Sequence, residues 1–206
     1  KTQFQEFKNT QPHKAVEALN CENSSGDNLL NCKDCENVFI FKDSEDSAYC
    51  SFCEGNQTCM DSNFSNIGEL QYFSTNLVKN YQVLFSNFAW YNSSSAYLTS
   101  CFNSDHLFGC VSLKKNSYCV LNKQYSKAEF EELVPKIIQH MRDTGEWGQY
   151  FPPKYSPFGF NETAGNIEHP ITQDEAQSRG WKWNTEREEI KPIFGPSGVS
   201  IVHNLP

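Results

Sequence analysis

Two stretches decide how this chain is read: Cys32-Lys33-Asp34-Cys35 and Tyr49-Cys50-Ser51-Phe52-Cys53-Glu54-Gly55-Asn56-Gln57-Thr58-Cys59. Each contains a C-x2-C pair, and the pairs are separated by fourteen residues. That arrangement nearly matches the C-x2-C-x15–20-C-x2-C pattern of a structural zinc site. Four thiolates from Cys32, Cys35, Cys50 and Cys53 would close a tetrahedral site with no open position for chemistry. The other cysteines argue for a repeat. Cys32 to Cys50 and Cys35 to Cys53 are both 18 residues, while Cys50 to Cys59, Cys101 to Cys110 and Cys110 to Cys119 are all 9. A zinc module has no reason to keep that interval outside its ligands, whereas stacked repeats do. Thirty-five residues on, Leu84-Phe85-Ser86-Asn87-Phe88 resembles the second stretch with Phe in place of Cys. Phe cannot ligate a metal but can fill an inward packing slot, as a free Cys does.

Outward from these stretches, residues 20–122 divide into units of about 18 residues. Short apolar runs such as Val38-Phe39-Ile40-Phe41 and Val83-Leu84-Phe85 alternate with Asn, Asp, Ser and Gly. Those four residue types supply tight turns, because they tolerate left-handed backbone or bond their own main chain. A unit this short cannot bury its apolar face alone and must stack on its neighbours. The expected fold is therefore mainly β: a short parallel β-solenoid of about 18-residue coils, followed by a small helical module. Such coils would place Cys32 on Cys50 and Cys35 on Cys53, about 4.8 Å apart. Two alternatives stand beside it, a set of zinc modules and a β-sandwich, whose strands recur every 8–12 residues. Cys101, Leu107, Leu113 and Cys119 fall six apart, a hexad row that suits a left-handed β-helix; Cys35, Phe41, Cys53 and Cys59 follow the same row, with Ser47 breaking it.

Before the repeats, in a capping segment spanning 1–19, Thr10 to Leu19 reads as a short helix opened by Pro12. After them, residues 123–184 read as a helical, Trp-rich module and 185–206 as a tail with a strand at 199–202. Ser126-Lys127-Ala128-Glu129 is a capping box, followed by Phe130, Leu133, Val134, Ile137, Ile138 and Met141 at helical spacing and by Gly145 as a stop. This apolar stripe is expected to close the last coil. Pro135 should kink or split the helix. A second capping box, Thr172 to Glu175, opens a short helix that Gly180 ends.

Charge narrows the function. The net charge is −8, and the stretch from Glu22 to Glu69 alone carries ten acids against two bases. Phosphate backbones are bound by clustered Lys and Arg, so no direct nucleic-acid partner is expected. No apolar run approaches the roughly 20 residues of a membrane helix. The odd number of cysteines, 9, rules out a fully paired single-chain disulfide framework and suits reduced thiols in a cytoplasm.

Leu107-Phe108-Gly109-Cys110-Val111, Tyr118-Cys119-Val120-Leu121-Asn122-Lys123-Gln124-Tyr125, Leu133-Val134-Pro135-Lys136-Ile137-Ile138, Thr144-Gly145-Glu146-Trp147-Gly148, Ser156-Pro157-Phe158-Gly159-Phe160-Asn161-Glu162-Thr163 and Gly180-Trp181-Lys182-Trp183 resemble an uncharacterised Asn- and Cys-rich repeat family of candidate-phyla bacteria and metagenomes. That resemblance implies the architecture and a bacterial cytoplasm but no reaction. Many members continue into a cysteine-paired, ribbon-like region, and this chain has no Cys after 119.

Catalytic signatures are missing: no G-x-S-x-G, P-loop, G-x-G-x-x-G or H-E-x-x-H occurs. His106 lies near Cys101 and Cys110 in sequence, and Asp43, Glu45 and Asp46 offer paired carboxylates. The reading leans away from an enzyme, towards a structural or protein-interaction module within a larger assembly. Its expected binding residues are Trp147, Tyr150, Phe151, Tyr155, Trp181 and Trp183. No cofactor is expected, with structural zinc on the four cysteines as the alternative. Two further readings are a zinc-stabilised module assisting a nucleic-acid or processing function, and a carbohydrate-active β-helix.

Overall fold

In the computed structural model, which describes residues 2–12, 14 and 16–185, the chain between Ala18 and Gln124 forms one parallel solenoid of about nine coils. The coil is 12 residues long, not 18. Val38 pairs with Gly26, Ser51 with Phe39, Asn63 with Ser51 and Thr75 with Asn63 on one track. On a second track, Gln57 pairs with Glu45, Glu69 with Gln57, Tyr81 with Glu69 and Ser93 with Tyr81.

Within each coil the unit is a triplet. Every third residue from Leu29 to Cys110 is buried, and every third residue from Asn28 to Leu121 has φ between about +45° and +67°. Each triplet is thus one inward residue, one outward residue and one left-handed residue that turns the chain by a corner. Four triplets make a coil, so the solenoid has four inward columns and four outward sides. Two of the left-handed positions are glycine, Gly55 and Gly109; others are Ile40, Phe52, Thr58, Ile67 and Tyr91, where the conformation costs roughly 1–2 kcal/mol each. Such strain persists only where the surroundings impose it, and here the hydrogen bonds of both flanking coils do so.

The interior explains why so many buried residues are polar. The amide of an inward residue points into the core, away from the sheet tracks. Where the inward residue one coil earlier is Ser or Asn, its side chain meets that amide: Asn56 N donates to Ser44 Oγ (2.9 Å), Leu98 N to Ser86 Oγ (3.0 Å), Leu107 N to Ser95 Oγ (2.9 Å) and Ser104 N to Asn92 Oδ1 (3.0 Å). A buried amide left without an acceptor costs about 1–3 kcal/mol, so Ser and Asn are favoured where a Leu would be expected. Apolar members of the columns, including Phe41, Leu77, Val83, Leu98 and Leu107, are at most 1% exposed.

This geometry corrects several expectations. Eighteen residues is one and a half coils, so Cys32 does not stack on Cys50. Cys32 pairs with Ser44, and Cys53 with Phe41. The interval of 9 is three triplets: Cys50 Sγ donates to Cys59 O (3.5 Å), Cys101 Sγ to Cys110 O (3.3 Å) and Cys110 Sγ to Cys119 O (3.4 Å). The hexad row is half a coil, and Ser47 continues it, because Ser47 is itself buried. Phe85 and Phe88 do not take the inward place of Cys; that slot belongs to Ser86, while Phe85 and Phe88 sit on outward corners.

At the start, Ala18 pairs with Leu29 and Glu22 with Lys33, an offset of eleven, before Gly26 pairs with Val38 at twelve. The missing residue is absorbed at Gly26 (φ 137°), where a Cβ would lie 1.7 Å from Val38 O. Ahead of it, helix α1 spans Thr2–Asn9 rather than 10–19. Pro12 follows this helix instead of opening one.

Helix α2, Lys127–Asp143, has the expected capping box at Ser126 and Glu129, and Gly145 follows it at φ 75°. It runs through Pro135 as one element. It does not close the last coil. That end is paired by a short antiparallel return, Cys119 with Gln124 and Val120 with Lys123. Instead α2 lies along one side. Phe130 meets His106 and Tyr118, then Trp147 meets Phe85 and Tyr97, and Tyr150 meets Phe73. The chain therefore walks back across about four coils, a distance that 17 helical residues, about 25 Å, span readily.

The chain packs as two compact units, Lys1–Tyr150 and Phe151–Pro206, so the segment read as one module over 123–184 divides at Tyr150. The second unit holds helices α3 (Ala164–Glu168) and α4 (Gln173–Ser178); Trp181 donates its amide to Ala176 O of α4 (2.9 Å) and packs on Phe160 at 4.9 Å. The capping box of α4 at Thr172 and Glu175 is present. Asn161 clamps the exit of this unit, accepting from Asn184 N (2.9 Å) and donating to Asn184 O (2.8 Å). The strand expected at 199–202 lies outside the described residues.

Candidate interaction face

The four sides differ only in what the triplets carry outward. We number them from the residues that open each. Side 1 carries Leu30-Asn31, Lys42-Asp43, Glu54-Gly55, Asn66-Ile67, Val78-Lys79, Trp90-Tyr91, Phe102-Asn103 and Lys114-Lys115. Side 2 carries Lys33-Asp34, Glu45-Asp46 and Gln57-Thr58, polar in these coils, and then Glu69-Leu70, Tyr81-Gln82, Ser93-Ser94, Asp105-His106 and Ser117-Tyr118. Side 3 carries Tyr72-Phe73, Leu84-Phe85, Ala96-Tyr97, Phe108-Gly109 and Val120-Leu121, and lies under α2 and Trp147. Side 4 carries Phe39-Ile40, Ser51-Phe52, Asn63-Phe64 and Asn87-Phe88.

The corner between sides 4 and 1 holds an exposed aromatic ladder. Phe52 stacks on Phe64 with centroids 4.8 Å apart and planes 10° from parallel. Phe88 stacks on Trp90 at 5.5 Å, and Trp90 meets Phe102 edge-on at 5.4 Å. For Phe52 on Phe64 and Trp90 on Phe102, spacing near 5 Å follows from the strand separation, which sets the distance between like positions in successive coils; Phe88 and Trp90 are neighbours within one coil. Phe52 is 49% exposed, Phe64 51% and Tyr91 50%. Beside the ladder, Ile40, Lys42, Phe52, Glu54, Phe64 and Asn66 line a groove of about 410 Å³.

On the far edge of side 1 lies a second, open groove of about 560 Å³. Glycines make it. Gly55 removes a side chain from the outward column beneath Ile67, and Gly68 removes one from the inward column. The place a Gly68 side chain would take is filled by Gln71, whose Nε2 would lie 2.0 Å from a Cβ there. Gln57, Glu69, Lys79, Tyr81 and Tyr91 form the walls, with Lys79 Nζ over the Tyr91 ring at 5.7 Å.

The residues expected to bind from sequence fall in three places. Trp147 and Tyr150 are used to cover side 3: Tyr150 Oη–H donates to Ser86 O (3.1 Å), Gly148 N donates to Tyr97 Oη (3.0 Å), and burial pushes the Tyr150 phenol up to about 12. Phe151 and Tyr155 are 60% and 66% exposed in the second unit. There Trp181, with Arg179 over its ring at 5.1 Å, lines a cleft of about 210 Å³ with Pro153, Phe158 and Phe160. Trp183 is half-buried close by in sequence.

Cys32, Cys35, Cys50 and Cys53 point into the core from four different columns and are 1–3% exposed. Desolvation raises the Cys32 thiol to about 11 and the Cys59 thiol to about 12. Cys50 and Cys53 act on each other as neighbouring thiols, which raises Cys50 and lowers Cys53. Among the described residues, no group of three or more His, Cys, Asp or Glu side chains is placed to hold a metal ion. His106 turns outward, bonding Asp105 (2.8 Å) and stacking on Tyr118 (4.8 Å), away from the inward Cys101 and Cys110. Asp43 belongs to side 1 and bonds Asn31 (2.6 Å); Glu45 belongs to side 2 and accepts from Gln57 (2.8 Å). Those two carboxylates therefore do not converge on one reacting atom.

The ladder on sides 4 and 1 was not among the residues expected from sequence. A signal for it exists: Phe52 to Phe64 and Ile67 to Tyr91 are multiples of twelve, a period visible only once the coil length is known. No protein-family model matches the chain, and no curated protein is detectably similar to it.

Proposed function

We propose that the chain is a non-enzymatic interaction module: a rigid solenoid that presents sides 4 and 1 to a protein partner within a larger assembly. One observation carries this reading. The solenoid has two aromatic flanks; its own helix covers side 3, while the ladder from Phe52 to Phe102 faces solvent. The ladder falls into two clusters, Phe52 with Phe64 and Phe88 with Trp90 and Phe102, parted at Thr75-Asn76; exposed apolar clusters mark interaction sites, and aromatic side chains are the usual anchors of such surfaces. Burial at 1–3% exposure fits a packing role for Cys32, Cys35, Cys50 and Cys53.

The test separates a docking ladder from one that merely braces the coils. Replacing Trp90 and Tyr91 together by Ser should leave the melting temperature within a few degrees of the parent, as surface substitutions do. Binding of an apolar fluorescent dye to the folded protein should fall at the same time. A variant that melts far lower would assign the ladder to the fold and overturn the reading.

A further inference from the structure

We infer that the partner of side 1 is a second copy of this chain, docked antiparallel about a two-fold axis that crosses side 1 midway between the Val78 and Trp90 levels. The inference rests on the docking reading above and adds the identity of the occupant.

The charge distribution points to it. On side 1 the early coils carry Asp43 and Glu54 against Lys42, while the late coils carry Lys79, Lys114 and Lys115 and no acid. A solenoid with one acidic and one basic end attracts another that is reversed. A parallel pair about an axis along the solenoid would instead set Lys114 against Lys115. A two-fold axis in the plane of the face and across the solenoid brings each outward column onto itself in reverse order, so that the same patch serves both copies.

With the axis midway between two coils, the pairings follow from the register. Trp90 of each copy meets Val78 of the other, and Tyr91 meets Lys79, an arrangement that suits a cation over a ring. Lys114 meets Glu54, which already holds Lys42 at 2.7 Å within its own chain. Lys115 meets Gly55, at the mouth of the 560 Å³ groove, where Glu69 can accept its ammonium. The shapes agree as well as the charges. The bulky level of Trp90, Tyr91 and Phe102 is near the axis, and the level emptied by Gly55 receives a long lysine. Side 1 is roughly 35 Å long from Leu30 to Lys115 at the spacing of paired strands, and the flanking Phe64 and Phe88 widen it.

Sedimentation velocity on the full chain tests this. The wild type should be a dimer at tens of micromolar and dissociate as salt is raised. Lys114→Glu and Glu54→Lys, each alone, should weaken the dimer at least tenfold, because each sets like charges together twice. Mixed in equal amounts, the two variants should recover the dimer, since each supplies the charge the other lacks. Circular dichroism and melting of each variant verify that it is folded; if Glu54→Lys disturbs the coil through Lys42, Lys115→Glu and Glu69→Lys serve as the second pair. A wild type that remains monomeric to 100 µM overturns the self-pairing. So does a mixture that stays monomeric while each variant is folded. If the monomeric wild type still binds the apolar dye at Trp90 and Tyr91, the docking reading survives and the occupant is another protein. If the dye binding is absent too, both fall.

Discussion

Sides 3 and 1 are built on the same backbone, with the same triplet and the same left-handed corners, yet they end differently. Side 3 carries Phe85 (4% exposed) and Tyr97 (4%), buried because the chain returns over them with Phe130, Trp147 and Tyr150. Side 1 carries Trp90 (38%) and Tyr91 (50%), and among the described residues no segment of its own unit returns over them. The coil therefore does not decide which side is covered. Its four inward columns fix the scaffold, and its outward residues are free to recruit either the chain's own helix or a separate molecule. A solenoid of this kind separates folding from recognition by side.

The sharpest way to break that comparison is to disturb side 3. Phe85→Ala should destabilise the fold by about 3–4 kcal/mol, because it removes a ring packed on Tyr97 and Trp147. Chemical denaturation measures this, and a loss no greater than that of Trp90→Ala would erase the distinction between the sides. Next in size is the shared interior. Asn92→Ala removes the acceptor of Ser104 N and the donor to Cys101 O (2.8 Å), and should cost about 2–3 kcal/mol. A neutral result would mean that the inward ladders are not what fixes the coil.

Much of this was legible in sequence. The solenoid, its extent near 20–122, both capping boxes and the stop at Gly145 follow from composition, turn chemistry and capping rules. The coil length was not, because cysteines sample the triplet rather than the coil. Every cysteine from Cys32 to Cys119 occupies the same place in the triplet frame, so 9 and 18 look like the repeat while 12 never separates two of them. Left-handed backbone at Ile40, Thr58 and Ile67 could not be foreseen either, because β-branched residues avoid that region. The placement of α2 along side 3 follows from outward residues whose side could not be assigned without the coil length.

Alkali probes the interior that all four sides share. Burial raises the Cys32 thiol to about 11 and the Cys59 thiol to about 12, from an ordinary value of 9.0. An acid whose folded value is raised stabilises the fold below its unfolded value and loses that contribution as pH rises. Stability should therefore hold up to about pH 9 and decline from there towards pH 11–12. A melting temperature that rises over that window would contradict the buried, neutral thiols. Smaller still is the corner conformation. Thr58 sits at φ 53° on polar side 2, and Thr58→Asn should stabilise by about 1 kcal/mol, since Asn tolerates left-handed backbone. A destabilised variant would argue against the triplet corner.

The difference between the two sides can be read most directly by hydroxyl-radical footprinting with mass spectrometry. The Lys114→Glu variant is the one to use, because it holds side 1 open. The account predicts that Trp90, Tyr91, Phe52 and Phe64 are modified several times faster than their intrinsic reactivities give for Phe85, Tyr97 and Phe108. Equal protection of both sets, or faster modification of Phe85 and Tyr97, would contradict a solenoid with side 3 covered and side 1 open.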